Sequence, residues 1–444
     1  GKRKAKELAF WAEAEGSLLS SSRTGVRDGS GDSEHENLGS NLCRDLDTSR
    51  VRVLPKAQTL RLGLSLRSLT HHLALCPPVE LPARWVTQAA TTPFISERHC
   101  NLLLIPWPFH VVPSDFQGTE KVAHGNGHVG WFSYTPRDQG VGELLRAVER
   151  LLEQAKQSVG DIHAIVFPET ALTDQQFADV AHMLRNRNIS LISGVTREIE
   201  AKVSETTASK SDQSVNEPNE AEAKNSLRGR PVFQNYAAVH LPQMFSEPFT
   251  FEQGKHHRWK LDHDQIVRYG LSSALNPETD WWENIQVVDR SLHFFAIREW
   301  LCTCVLICED LARLDPVGQF VRAVAPDLVI ALLFDGPQLS NRWPAYHATV
   351  LADDPGASVL TLTSLGMAKL SRPTNHHGPD HATVIGMWRD ASGNFVEIRL
   401  PPNSHAAVLT LHHRSRTSVT ADGRANPHEL GSPVFGGLNY LRIT

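Results

Sequence analysis

Beyond residue 100 the chain alternates between short apolar runs and segments whose apolar positions recur every three or four residues. The run NLLLIPWPF predicts a strand that its prolines end. In 141–158, Leu144, Leu145, Val148, Leu151, Leu152 and Ala155 fall on one face of a predicted helix. HAIVF follows as a short buried strand. A helix over 174–187, with Phe177, Val180, Ala181 and Leu184 on its apolar face, leads into the strand ISLISGV. Later runs VFQNYAAVHL, FTFEQGK, IQVVD, FFAI and LCTCVLIC read as strands. A helix near 316–324 precedes DLVIALLF, another over 344–351 precedes SVLTLTSLG, and HATVIGMW, FVEIRL and AAVLTLHH close the pattern. Apolar strands interleaved with amphipathic helices predict an α/β layered fold.

Polar stretches divide the chain. Residues 1–50 carry little apolar content beyond the first few positions and read as a disordered arm or linker. The leucine-rich segment 51–95, with TLRLGLSLRSLTHHLALC stopped by Pro77 and Pro78, has no clear assignment. Residues 196–230 show neither period and read as a flexible, mostly acidic insertion; 413–444 read as a Gly/Pro/Asn-rich tail. The chain begins with Gly rather than Met, as expected of a processed product or a piece of a longer polypeptide.

Composition narrows the class. Of 444 residues, 41% are hydrophobic and 21% charged, ordinary values for a globular protein. A formal net charge of -5 gives no strong nucleic-acid signal. No stretch approaches the ~20 apolar residues of a membrane span. The 6 cysteines are too few and too uneven for a disulfide framework, so reduced thiols in a cytoplasmic protein are the simpler expectation.

Three reactive groups stand directly after buried strands: Glu169 after HAIVFP, Lys255 after FTFEQG, and Cys308 at the end of CTCVLI. Ligand sites in α/β sheets gather at such strand ends. Brought together, a thiol, a carboxylate and an ammonium make a nucleophile, its base and a stabiliser of developing negative charge. Each has a plainer reading. Cys308 is a packed strand cysteine by residue type, and Glu169 is an N-cap carboxylate for the next helix. Lys260 competes with Lys255 within KHHRWK. Cys302, Cys304 and Cys308 lack a usual structural zinc spacing, so no metal is expected. Glu309 and Asp310 read as turn and supporting groups, and the backbone N–H of Glu309 as an oxyanion donor. His376, His377 and His381 read as solvated loop residues.

These motifs resemble the nitrilase superfamily, the carbon–nitrogen hydrolases, over about residues 96–412. AIVFPETAL matches its F-P-E motif, EQGKHHRW its lysine motif, and VLICEDLARLDP its cysteine motif; Asn235 matches the strand before the lysine. The Cys-Glu-Asp form resembles the glutaminase domains of NAD synthetases more than plain nitrilases. The resemblance implies an α-β-β-α sandwich and a Glu169–Lys255–Cys308 triad. It also implies a covalent thioester or thioimidate intermediate, a small amide or nitrile substrate, no cofactor, and frequent homo-oligomers. Two family features have no close match. Asp262 or Asp264 stands where a second glutamate is usual, and SRPTNHHGPDHATVIG replaces the late G-x-S segment. These departures leave open a catalytically degenerate binding or assembly module. The chain is also similar to nitrilase-like domains fused to bacterial reverse transcriptases of anti-phage defence, which implies a partner domain upstream.

Overall fold

In a computed structural model of the chain, the described residues are 51–53, 73–75, 83–86, 98–124, 127–136, 140–199, 232–242, 248–287, 290–298, 300–371, 379–416 and 430–443. The arm 1–50, residues 200–230 of the expected insertion, and His376 and His377 lie outside them. So does most of 51–95; of that segment, Val51–Val53 pairs antiparallel with Leu73–Leu75, and Ala83–Val86 joins a large sheet.

Two large sheets face each other. The first runs, in spatial order, Phe249–Gly254, Val232–Leu241, Ser190–Ile199, Ala164–Val166, His99–Leu104, Ala406–Arg416, Leu430–Leu441. The second runs Phe395–Arg399, Val384–Arg389, Ser358–Thr363, Leu328–Leu333, Leu301–Ile307, Leu292–Arg298, Ala83–Val86. Central strands are parallel in both, and antiparallel strands flank them. Strand alternation explains why the runs are apolar throughout. Leu102, Leu104, Ala164, Val166, Ile192 and Val239 point into the core between the sheets. Their neighbours Leu103, Ile105, Ile165, Leu191, Ala238 and Val408 point the other way. There they meet Leu144, Val148, Leu151, Leu152 and Ala155 of helix Val141–Val159, and Phe177, Val180 and Leu184 of helix Asp174–Leu184. Helices Gln319–Val324 and Trp343–Asp353 cover the second sheet through Phe320, Val321, Val324, Ala345, Ala348 and Leu351. The expected α-β-β-α layering is therefore present. Each fully buried Leu or Val adds about 1.5–3 kcal/mol relative to exposure.

Several elements differ from the sequence expectation. Thr196–Ile199 pair with residues of the next strand, so these four positions belong to a strand and not to the expected insertion. The supposed tail contains the strand Leu430–Leu441, paired along Ala406–Arg416. It is an edge strand, where the Pro433 and glycines that suggested a tail are tolerated. Of IQVVD, the described residues contribute one bridge, Ile285 to Phe233; the strand here is Thr279–Glu283. The helix expected near 316–324 begins at Gln319, after a wide turn at Leu314–Gly318.

A third, four-stranded sheet escaped the sequence pattern: Lys260–Leu261, Thr279–Glu283, Gly127–Tyr134 and Phe116–His124. Its aromatic side, with Phe116, Phe132, Tyr134, Trp259 and Trp281, packs on Phe334, which follows the strand Leu328–Leu333. This sheet thereby walls one side of the strand ends that carry the reactive groups.

Candidate active site

Glu169 lies three residues beyond the strand Ala164–Val166. The chain continues beside Ser190–Ile199: Phe167 N–H donates to Ile192 O at 2.8 Å, Gly194 N–H to Pro168 O at 3.0 Å, and Ala171 N–H to Gly194 O at 3.0 Å. Only glycine permits this approach, because a Cβ at 194 would stand 2.3 Å from the Glu169 Cα. Thr170 turns the chain with φ 49°, a left-handed conformation costing about 1–2 kcal/mol for a residue with a Cβ. The next helix is capped by Thr173 and Gln176, whose side chains each accept the other's backbone N–H. Glu169 is therefore free of the capping role, and its carboxylate is buried inside the protein.

Lys255 is the first residue past Phe249–Gly254, and its N–H donates to Asn235 O at 3.0 Å. Its ammonium is 1% exposed and donates to Glu169 Oε1 at 2.8 Å and Glu283 Oε2 at 2.6 Å. Asn235 Nδ2 donates to Glu169 Oε1 and to Glu283 Oε1, both at 2.8 Å, and Trp259 N–H donates to Glu283 Oε2 at 2.9 Å. Lys260, the rival lysine, instead pairs with Asp280 at the surface. Burial alone would discharge Lys255, but Glu169 and Glu283 outweigh it and hold the ammonium well above its ordinary pKa. Burial pushes the Glu169 carboxyl above the usual range; Lys255 pulls it down and Glu283 pushes it up. Two carboxylates thus share one cation, which raises the proton affinity of Glu169.

Glu283 corrects the sequence reading. Neither Asp262 nor Asp264 takes the place of the second glutamate: Asp262 caps the short helix His263–Arg268 by accepting Gln265 N–H at 2.9 Å. Glu283 ends the strand Thr279–Glu283 and reaches Lys255 from the third sheet. An acidic residue closing an aromatic strand, TDWWE, was the only signal in the sequence.

Cys308 directly follows Leu301–Ile307 and opens a tight turn, Cys308–Leu311, with φ 45°. Its thiol is buried and lies within the electrostatic reach of Glu169 and Lys255. Burial pushes the thiol pKa up, Glu169 adds to this, and Lys255 opposes it, so the resting group is a thiol and not a thiolate. The Lys255 and Cys308 strands belong to different sheets and are tied together. Buried Gln253 donates to Val305 O and accepts His293 N–H, each at 2.8 Å. Asp310, two residues past Cys308, faces Nδ1 of both His256 and His257, at 3.0 and 2.8 Å. Despite its burial, His256 and His257 hold the Asp310 carboxyl down to about 2. The Asp310 geometry matches the supporting role expected from its position in the turn, whereas nothing in the sequence marks Gln253. His381 lies in the short turn Pro379–Thr383, apart from these residues in the chain.

A pocket partly open to solvent is lined by Glu169, Asn235 and Glu283, with Phe132, Trp259 and Phe334 among its walls; Cys308 and Lys255 are not among its lining residues. Glu169 is one of the residues lining this pocket, and its Oε2 has no hydrogen-bond partner in the protein. Among the described residues, no group of three or more His, Cys, Asp or Glu is arranged to hold a metal ion. Cys302 and Cys304 carry free thiols on the strand. No helix of the described residues is long and apolar enough to cross a membrane.

No family model matches the chain, and no curated protein matches it. Among solved structures it is similar to Nit3 of Saccharomyces cerevisiae, a member of branch 10 of the nitrilase superfamily. Identity there is 11% and the TM-score 0.36, covering 69% of this chain and 88% of that one. It is also similar to an amidase from Nesterenkonia sp., with 10% identity and TM-score 0.37 over 72% and 92% of the two chains. A carbon–nitrogen hydrolase from Helicobacter pylori G27 shares 9% identity, with TM-score 0.34 over 67% and 84%.

Proposed function

We propose that the protein hydrolyses a non-peptide C–N bond of a small amide or nitrile through a covalent intermediate on Cys308. One observation supports this reading: a buried ammonium, clamped between two carboxylates, lies within electrostatic reach of a cysteine on a strained strand-end turn. Strain and buried charge of this kind are costly, and they concentrate at functional sites.

The chemistry follows from the unused valences. Cys308 Sγ attacks the amide carbon while Glu169 Oε2, the carboxylate oxygen without a protein partner, takes the thiol proton. Because the resting thiol is protonated, proton removal accompanies attack. Lys255, with the backbone N–H of Glu309 at the turn, stabilises the oxyanion. Glu169 returns its proton to the leaving nitrogen, and ammonia or an amine departs, leaving a thioester. Glu169 then takes a proton from water as it attacks the thioester, and returns it to the sulfur as the carboxylic acid leaves.

A second reading is a binding module with a silent site, favoured by the depth of Cys308 burial and its raised thiol pKa. Turnover of an amide and nitrile panel by wild type, Cys308→Ala and Cys308→Ser separates the two. Hydrolysis that both substitutions abolish, in folded proteins, supports the enzyme. Turnover that survives Cys308→Ala removes the nucleophile assignment.

A further inference from the structure

The pocket has two unlike kinds of lining residue. One is aromatic: Phe132, Tyr134, Trp259 and Phe334, all buried, pack edge and face on one another, with centroids 4.3 Å apart for Tyr134–Phe334 and 5.7 Å for Phe132–Trp259. The other carries hydrogen-bonding groups that no protein atom meets. Thr170 Oγ1 and Thr196 Oγ1 lack partners, although their residues are only 6% and 8% exposed. Asn235 adds a third. Its Nδ2 must face the two carboxylates, since only a donor fits there, so its Oδ1 is an acceptor without a partner.

Buried polar atoms are normally satisfied, and one left unmet costs about 1–3 kcal/mol. Three around one cavity, none needed for the proton transfers above, mark a surface shaped for a ligand. Thr170, directly after Glu169, holds a left-handed conformation with its backbone nitrogen packed against Gly194. Thr196 is paired directly with Asn235 across neighbouring strands, so the two side chains share one face.

Resting on the hydrolase reading above, we propose that Thr170, Thr196 and Asn235 form an acyl-recognition subsite that shares the pocket with the aromatic wall. The substrate class it fits is an amide or nitrile whose acyl part combines a flat apolar face with a hydrogen-bond donor, a hydroxyl or N–H. The aromatic wall takes the flat face. The Asn235 carbonyl and the threonine hydroxyls take the donor. A plain hydrocarbon acyl group would leave these groups buried and unmet, which is how a site built to bind a hydroxyl rejects the analogue without one.

The test separates binding from chemistry. Affinities are measured by calorimetry on folded Cys308→Ala protein for phenylacetamide, its ortho-, meta- and para-hydroxy derivatives, and the corresponding methyl compounds. Thr170→Val and Thr196→Val are then introduced singly, with Thr170→Ser and Thr196→Ser as controls that keep the hydroxyl. The expected result is at least one hydroxy isomer bound about tenfold tighter than both its unsubstituted and methyl counterparts. Each valine change should reduce that preference about three- to tenfold, and each serine change should keep it. Equal affinity across the hydroxy, methyl and unsubstituted compounds, or a preference that valine leaves untouched, would overturn the subsite. Failure of the hydrolase reading shows elsewhere, as an absence of any acyl adduct on wild-type Cys308, and does not affect the affinities.

Discussion

Replacing Glu169 by glutamine should separate catalysis from structure more cleanly than any other change. Glutamine keeps the side-chain volume, and its carbonyl oxygen can still accept from Asn235 Nδ2 and Lys255 Nζ, both now at 2.8 Å. Its amide nitrogen would then occupy the place of Oε2, which has no protein partner to lose. The ammonium keeps Glu283, 2.6 Å away. The lost stabilisation is the difference between a charge-assisted and a neutral hydrogen bond, about 1–2 kcal/mol. Part of this is offset, because wild type places two carboxylates around one cation. We expect a melting-temperature drop of only about 2–4 °C. Activity should respond on another scale, since a positioned general base contributes about 10²–10⁴-fold. Cys308 alkylation near neutral pH should slow as well, because the buried thiol loses its proton acceptor. Melting temperature, turnover and alkylation rate would be compared in the two proteins. A well-folded Glu169→Gln protein with undiminished turnover and alkylation would refute the assignment of Glu169 as base.

Glu283→Gln should lower turnover, by less than the about 10²–10³-fold typical of losing an electrostatic stabiliser outright. Because Glu283 helps hold Lys255 above its ordinary pKa, the alkaline limb of the pH–rate profile should move to lower pH; an unmoved limb contradicts this role. Gly194→Ala forces a methyl into the Glu169 backbone and should cost about 1–3 kcal/mol or more with a large loss of activity, checked by denaturant titration and turnover. Asp327→Asn should stabilise the protein at neutral and alkaline pH. Burial lifts the Asp327 carboxyl from 3.8 to about 7, so between those values the folded chain keeps a proton that the unfolded chain has released. Stability therefore falls as pH rises through that window, by at most about 4 kcal/mol, and the full cost stands above it. The asparagine variant should melt higher at pH 8 and match wild type near pH 4; equal melting at pH 8 would contradict it.

The layered fold was legible because its strands are buried on both sides. Leu102 to Leu104 and Leu328 to Leu333 are apolar at every position, since alternate residues serve different cores. Helix Val141–Val159 announced itself by a single stripe. The third sheet did not, because GTEKVAH and GHVG mix small, charged and polar residues with no clean alternation of apolar positions. The last strand was hidden by its glycines and Pro433 for the same reason. Glu169, Lys255 and Cys308 were legible as polar residues at the ends of apolar runs, where the structure has them. Glu283 was not: it lies 28 residues from Lys255 and 48 from Asn235, and only the fold brings it to them. Gln253 and the threonines were silent for a related reason, since their roles depend on which atoms the fold leaves near them.

The central claim is that Cys308 forms a covalent acyl bond. Intact-mass analysis of wild-type protein quenched in acid after exposure to the amide and nitrile panel tests it most directly, with peptide mapping to locate any adduct. Deacylation draws on the same Glu169, so Glu169→Gln should let the intermediate accumulate if acylation proceeds at all. The expected result is a mass increase equal to the acyl group, placed on Cys308 and absent from Cys308→Ala. A panel that is hydrolysed with no adduct at Cys308 in either protein, or an adduct that maps to Cys302 or Cys304, would contradict it.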